Sequence, residues 1–293
     1  MLLSLQEDTE AKMKRRDFLK TLGAGFAYSL LPSFAKSDER MHEQGESGEA
    51  PEESGESSAE QCIKVPVLMY HAINRQDSDY SRTPARFAHD LEFLYENEYK
   101  LTSIEELVTG TMRADKPVVL TFDDARDSQF HLDENNNIDS ECAVGIMNEF
   151  CDSHPDFGKT AMFYVSFDSN AAFGQRSKVG WKLNYLLDNG YEIGNHTMWH
   201  DNLSLVSLDK LKETITTCRD ELEKHLGEMI SRVKSFCFPY CAVPSSDSAL
   251  DFIRSSFTSA TIGGGRSFCN NDLHKIPRIG IANTTSIERI VNL

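Results

Sequence analysis

Short apolar segments, each of a length typical of one β-strand, recur along residues 64–281 and constrain the fold more than any other feature of this chain. "KVPVLMYH" (64–71) and "KPVVLTF" (116–122) are rich in valine, which is typical of strands buried on both faces of a parallel sheet. Further segments of this kind are "TAMFYVSF", "YEIGNHT", "SFCFPY", "FTSATI" and "HKIPRIGI". They predict a sheet with many strands.

Helical patterns lie between these segments. Apolar residues recur at three- and four-residue spacing from 208 to 226, with Ser207 placed to cap the helix and Gly227 placed to end it. A second helix is predicted after Pro84. Strands that alternate with helices predict a parallel α/β sheet or barrel, in which residues at the carboxyl ends of the strands carry the chemistry.

Two adjacent carboxylates, Asp123 and Asp124, follow directly after one of the valine-rich strands, in "LTFDDA". Like charges this close push their pKa values apart, and burial adds to the cost of ionisation. Such a pair is therefore usually neutralised by a cation or used for proton transfer.

Two histidines follow another predicted strand, in "GNHTMWH". His196 and His200 are four residues apart, so one helical turn or a tight loop would let both imidazoles face one point. Two histidines and one carboxylate would leave open coordination positions, as a hydrolytic metal site requires. Cys237 and Cys241, two thiols without a second pair, are a weaker indication of zinc.

The chain begins with a segment of different character. Residues 1–35 contain the pair Arg15–Arg16 followed by a short apolar stretch, and they resemble a twin-arginine export signal, with Met13 as an alternative start. The apolar stretch is too short and too rich in glycine for a membrane span, which needs about 20 residues. We therefore expect export to the periplasm, the cell envelope or the exterior, with no stable membrane span after cleavage; an uncleaved anchor is the alternative.

Residues 36–61 hold nine acidic and two basic residues, a net charge of −7, and almost no apolar side chains. This composition predicts a disordered linker. Residues 62–293 then form a single catalytic domain. The net charge of the whole chain is −16, which argues against a partner such as duplex nucleic acid, whose phosphates require a basic surface.

The motifs "TFDD", "HTMWH" and "FPY", in this order, resemble the polysaccharide deacetylase (NodB-homology) family, carbohydrate esterase family four. The opening "VPVLMYH" and the "CFPY" motif look most similar to its poly-N-acetylglucosamine deacetylase branch. The resemblance implies a distorted (β/α) barrel as a single catalytic domain. It also implies a divalent metal, with Zn²⁺ expected and Co²⁺ or Ni²⁺ as alternatives, and an enzyme that removes acetyl groups from a polysaccharide substrate.

Carried over residue by residue, the resemblance implies that Asp124, His196 and His200 bind the metal. It implies that Asp123 is the general base, which takes a proton from the attacking water. The backbone N–H of Tyr240 would stabilise the oxyanion.

The sequence departs from the family pattern at two points. The usual terminal Leu-x-His segment is missing, so we assign the general acid to His71, with His274 as the alternative. Cys237 stands where many relatives carry an arginine that steadies the catalytic aspartate, and Arg278 is expected to reach that carboxylate from a neighbouring strand.

Three functions remain open from the sequence. The first is N-deacetylation of an envelope or extracellular glycan that contains N-acetylglucosamine. The second is an O-acetyl esterase acting on xylan-like glycans, and the third is a catalytically impaired carbohydrate-binding relative. Trp199 and Tyr240 are expected to line a sugar groove, and Trp181 is expected in the core.

Overall fold

The computed structural model describes residues 64–76, 78–168, 172–269 and 272–290. The predicted export signal (1–35) and the predicted acidic linker (36–61) therefore lie outside the described residues. Within the described part of the chain, no helix is both long enough and apolar enough to cross a membrane.

The strands of the described chain form a closed barrel. Their bounds are β1 Val67–Tyr70, β2 Ala72–Ile73, β3 Ser81–Arg82, β4 Lys100–Leu101, β5 Pro117–Phe122, β6 Met162–Val165, β7 Glu192–Asn195, β8 Ser235–Cys237, β9 Ser259–Gly263 and β10 Ile276–Gly280. The order around the barrel is β1-β10-β9-β8-β7-β6-β5, and β5 pairs with β1 to close it. All of these pairings are parallel. The short strand β4 adds to β5, and β2 pairs with β3 outside the barrel. The predicted α/β barrel is confirmed.

Helices cover the outside of the barrel. Their bounds are α1 Pro84–Glu96, α2 Ile104–Thr109, α3 Ala143–Ser153, α4 Val179–Asp188, α5 Leu208–Leu226, α6 Asp247–Ser256 and α7 Ile287–Ile290. Helix α5 begins and ends where the sequence predicts. The Ser207 side chain accepts a hydrogen bond from the backbone N–H of Lys210, and Gly227, with φ of 56°, caps the carboxyl end.

Side chains alternate between the interior of the barrel and its helical coat. On β5, Val118, Leu120 and Phe122 belong to the large cluster under the helices, while Val119 belongs to a separate cluster with residues of β1, β6, β8 and β10. Because successive side chains of a strand point to opposite faces, the side chain of Asp123 follows that of Val119 on the interior face. The same alternation on β10 places Arg278 on the interior face with Ile276.

Candidate active site

The predicted site residues come together at one end of the barrel, where the parallel strands finish. Asp123 and Asp124 follow β5, His196 follows β7, and Tyr240 lies shortly after β8. His71 follows β1, the strand next to β5 in the barrel. The carboxyl end of the strands is the usual position of the active site in an α/β barrel.

Asp123 and Arg278 form a buried, bidentate ion pair. Arg278 Nη1 donates to Asp123 Oδ1 at 2.6 Å, and Arg278 Nη2 donates to Asp123 Oδ2 at 2.7 Å. Burial alone would raise the pKa of Asp123, but the Arg278 guanidinium outweighs it and lowers the pKa to about 2. The carboxylate is therefore ionised at neutral pH.

Two neighbours hold the Arg278 guanidinium in place. Nη1 also donates to Thr121 Oγ1 at 3.0 Å, and Nη2 lies 3.0 Å from Cys237 Sγ. Cys237 Sγ is 3.6 Å from Asp123 Oδ2. The small cysteine on β8 thus leaves room for an arginine that comes from β10, which is the arrangement expected from the sequence.

Asp124, His196 and His200 converge on a second point. His196 Nε2 is 3.4 Å and His200 Nε2 is 3.2 Å from Asp124 Oδ1. Asp124 Oδ1 is buried and accepts no hydrogen bond from any described residue. An orphaned carboxylate oxygen between two imidazole nitrogens fits a divalent cation, and this donor set suits zinc.

Further contacts orient these three side chains. His196 Nδ1 is 2.9 Å from the carbonyl oxygen of Cys237, which can only accept, so Nδ1 carries a proton and Nε2 is the nitrogen that faces Asp124. Arg126 donates from Nε and Nη2 to Asp124 Oδ2, at 3.0 and 2.6 Å. This leaves the other carboxylate oxygen, Oδ1, directed at the histidines.

His71, at the end of β1, lies beside Asp123. Its Nε2 is 4.0 Å from Asp123 Oδ2. Burial lowers the pKa of His71, and the nearby charges of Asp123 and Asp124 oppose that effect. The buried Gln129 donates to the backbone carbonyls of both His71 and Asp123, which ties the ends of β1 and β5 together.

Left-handed backbone conformations concentrate at this site. Among non-glycine residues, φ is 76° at Asp124, 66° at Thr197, 54° at His200 and 57° at Tyr240. Such conformations carry strain and persist where the surrounding structure enforces them, often at functional sites. They support the assignment of this end of the barrel as the active site.

The three aromatic residues that the sequence analysis names are all exposed. Tyr240 is half exposed and its ring lies 4.5 Å from the His200 ring; Trp199 is also exposed and carries Lys210 Nζ 3.9 Å above its ring. The expectation that Trp181 is core is wrong, because it is 49% exposed. It lies near the start of α4 and stacks on Tyr185, one turn further along that helix.

His274, the alternative acid, lies elsewhere. It precedes β10 and therefore sits at the end of the barrel where the strands begin, and its Nε2 is 3.0 Å from the carbonyl oxygen of Phe257. Asp123 lies at the opposite end. The structure brings His71, and not His274, next to the paired aspartates.

The sequence analysis did not single out Gln129 or Arg126, although both contact the site. Their only sequence signal was nearness to the "TFDD" motif: Arg126 is two residues after Asp124. Gln129 contacts His71, 58 residues away in the chain, and no local pattern predicts that contact.

A known family model matches part of the barrel. Residues 159–252 match the family model for polysaccharide deacetylase, a range that contains His196, His200 and Tyr240. A search of curated proteins found no match.

Solved structures match more of the chain. The deacetylase PplD from Streptococcus pyogenes, solved with acetate, aligns with a TM-score of 0.63 and 21% identity, covering 79% of this chain and 98% of that one. A polysaccharide deacetylase from Bacillus cereus gives 0.62 and 23%, covering 79% and 69%. The BpsB deacetylase domain from Bordetella bronchiseptica gives 0.51 and 12%, covering 74% and 96%. At these identities the structures show a shared fold, which confirms the fold predicted from the motifs, and the family model matches part of that fold.

Proposed function

We propose that the chain is a member of the polysaccharide deacetylase family and acts as a divalent-metal-dependent enzyme that removes N-acetyl groups from a glycan containing N-acetylglucosamine. The observation that carries the proposal is the convergence of Asp124, His196 and His200 beside the Asp123–Arg278 pair. A binding module has no need of an ionised carboxylate next to a three-residue metal site.

Asp124 Oδ1, His196 Nε2 and His200 Nε2 would hold the metal. A divalent cation held there would supply Lewis-acid chemistry, which would lower the pKa of a water towards about 7 and would polarise the acetyl carbonyl. Arg126 supports this site by binding the outer oxygen of Asp124.

Asp123 is the general base in this proposal. The ion pair with Arg278 keeps its carboxylate ionised and fixes its orientation. As water attacks the acetyl carbon, Asp123 takes the proton that the water gives up. This role requires the ionised form, which Arg278 maintains in a buried environment.

Tyr240 and His71 would complete the reaction. The backbone N–H of Tyr240 donates to the oxyanion of the tetrahedral intermediate, a contribution on the order of a hundredfold or more in rate. His71 gives its proton to the amine as the C–N bond breaks, so one water is consumed and acetate and an amino sugar are released. The 4.0 Å distance between His71 Nε2 and Asp123 Oδ2 supports this role, because an acid and a base that act on one substrate must lie near each other.

Two departures from the family pattern favour the impaired-binder alternative, namely the missing arginine and the missing terminal histidine. Arg278 supplies a guanidinium at the Asp123 carboxylate, and His71 lies 4.0 Å from that carboxylate. The O-acetyl esterase alternative uses the same residues and differs in the leaving group. Acetate release should therefore be measured with N-acetylglucosamine oligomers, acetylated xylan and peptidoglycan, each with and without a chelator.

We expect chelator-sensitive acetate release from the N-acetylglucosamine oligomers, restored by Zn²⁺, and its loss in Asp123→Asn. Release from acetylated xylan alone would support the esterase. No release from any substrate by the metal-loaded protein would support the impaired relative.

We also propose that the twin-arginine segment directs the protein to the periplasm or cell envelope, where such glycans are found. Changing Arg15 and Arg16 together to Lys should leave the precursor in the cytoplasm. Unaltered export would contradict that assignment.

A further inference from the structure

Tyr80 places an aromatic ring at the mouth of the barrel, next to the proposed general acid. Its ring centroid is 5.3 Å from that of His71, with an interplanar angle of 68°. Half of its surface is exposed, unlike the fully buried aromatic residues of the neighbouring core, such as Phe87 and Phe122. Neither the proposed mechanism nor the family motifs use this residue.

The backbone that carries Tyr80 is firmly held. The carbonyl of Tyr80 accepts a hydrogen bond from the backbone N–H of Ala72 at 3.0 Å. The next residue, Ser81, is buried and its hydroxyl accepts from the backbone N–H of Ser78 at 3.1 Å. Tyr80 therefore presents an exposed ring from a fixed position.

The residue after Ser81 anchors this segment to the rest of the domain. Arg82 is 3% exposed, and its guanidinium binds the buried carboxylate of Asp90. Its Nη1 also donates to the carbonyls of Ala282 and Thr285, at 2.8 and 2.7 Å. Because an exposed ring on a rigid support loses little conformational entropy on binding, this arrangement suits ligand contact.

Tyr80 and Tyr240 belong to segments that follow widely separated strands of the barrel. Tyr80 belongs to the segment that follows β1, and Tyr240 follows β8. In the barrel order β1-β10-β9-β8, strands β1 and β8 are three positions apart, which is the largest separation that a barrel of seven strands allows. The metal-site histidine His200 contacts Tyr240, whereas His71 contacts Tyr80. One aromatic ring thus borders the metal side and the other borders the acid side.

We propose that Tyr80 is a stacking platform for a pyranose ring of the glycan, on the side from which the amine departs, and that it favours oligomeric over small acetylated substrates. This inference rests on the proposed function, because it takes the ligand to be an N-acetylated hexosamine chain. Aromatic faces suit the apolar faces of pyranose rings. The amino sugar must lie against His71 to receive its proton, so a sugar ring of the same chain lies within reach of Tyr80.

Binding should be measured by calorimetry with the N-acetylglucosamine pentamer, using metal-loaded protein that carries Asp123→Asn to prevent turnover. In this background Tyr80→Ala should raise the Kd about three- to tenfold, the range expected for loss of one aromatic contact. Tyr80→Phe keeps the ring and should bind like its parent. Trp181→Ala, which removes an aromatic residue of equal exposure, is the matched control and should also leave the Kd unchanged.

In otherwise wild-type enzyme, Tyr80→Ala should lower kcat/KM for the pentamer by the same factor, chiefly through KM. Because a small aryl acetate has no sugar to stack on Tyr80, its kcat/KM should fall less. An unchanged Kd in Tyr80→Ala would overturn the inference, as would equal weakening in Trp181→Ala. Equal weakening by Tyr80→Phe would assign the effect to the hydroxyl and overturn the stacking role.

The two proposals can fail separately. If the pentamer binds through Tyr80 but wild-type enzyme releases no acetate from it, the proposed deacetylation is wrong and the stacking platform stands. If acetate is released and Tyr80→Ala has no effect on Kd or KM, only the inference about Tyr80 is wrong. A pentamer that wild-type protein neither binds nor deacetylates would overturn both.

Discussion

Replacing Arg278 by methionine should destabilise the protein strongly, because it leaves the buried Asp123 carboxylate without its cation. Asp123 is 3% exposed and Arg278 is 1% exposed, so water cannot take over the lost contacts. The pKa of Asp123 is about 2, against 3.8 for an unperturbed aspartate, which corresponds to about 2 kcal/mol of stability at pH 7. Because this pKa is lowered in the folded state, the contribution is present above pH 3.8 and is lost as the pH falls through 2.

The full cost of Arg278→Met should exceed that figure, since breaking one side of a buried ion pair typically costs about 3–5 kcal/mol. The double variant Asp123→Asn with Arg278→Met should be more stable than Arg278→Met alone, because it contains no unpaired buried charge. Arg75→Met, which removes one partner of the exposed Arg75–Glu141 pair, is the control and should cost less than about 1 kcal/mol.

Urea unfolding at pH 7, followed by circular dichroism with a chelator present, measures all of these variants without a contribution from bound metal. A loss below about 1 kcal/mol for Arg278→Met would refute the reasoning. The reasoning would also be refuted if the loss in the double variant equalled the sum of the losses in Asp123→Asn and Arg278→Met, since the two residues would then not be coupled.

Three other predictions concern different parts of the domain. His71→Ala should slow deacetylation of an N-acetyl glycan by roughly a hundred- to ten-thousand-fold and harm an aryl acetate far less, because a phenolate leaves without a proton; equal losses on both substrates in rate assays would demote His71 to a structural role. Burial lowers the pKa of Lys182 to about 8, so between pH 8 and 10.5 the folded state binds fewer protons than the unfolded state. The free energy of unfolding of wild type, measured with urea relative to that of Lys182→Met, should therefore rise from pH 8 to 10.5, by about 3 kcal/mol at most. A difference that stays constant with pH would contradict the assignment. Gly194→Ala should cost about 1–3 kcal/mol in the same assay, because a Cβ there would lie 2.4 Å from the Tyr164 ring, whereas Gly280→Ala, with its nearest contact at 3.4 Å, should cost much less.

Local patterns predicted much of the fold. Helix α5 starts after Ser207 and ends before Gly227 because capping and the left-handed glycine are properties of neighbouring residues. The strand segments were recognisable because a strand inside a barrel is buried along its whole length, as the six consecutive buried residues of β5 show. Neither pattern depends on distant contacts.

The site could be predicted only in part. Asp123 and Asp124 were identified by their position at a strand end. The pairing of Asp123 with Arg278 was expected from the family resemblance, because Cys237 stands where many relatives carry an arginine. Arg126 and Gln129 were missed, since hydrogen bonds from a loop follow no periodic pattern.

Trp181 shows the opposite error, in which residue type was taken as evidence of burial. A tryptophan is usually buried to a large extent, but it need not be fully buried. Here its position on α4 leaves half of the ring surface in solvent, with Tyr185 beneath it.

The central claim is that the two adjacent aspartates have different tasks, one at the metal and one in proton transfer. Elemental analysis of the purified Asp123→Asn and Asp124→Asn variants, after incubation with Zn²⁺ and desalting, tests it most directly. We predict that Asp123→Asn retains the same metal content per chain as wild type, and that Asp124→Asn retains much less. Equal metal content in the two variants, or a loss confined to Asp123→Asn, would contradict the account.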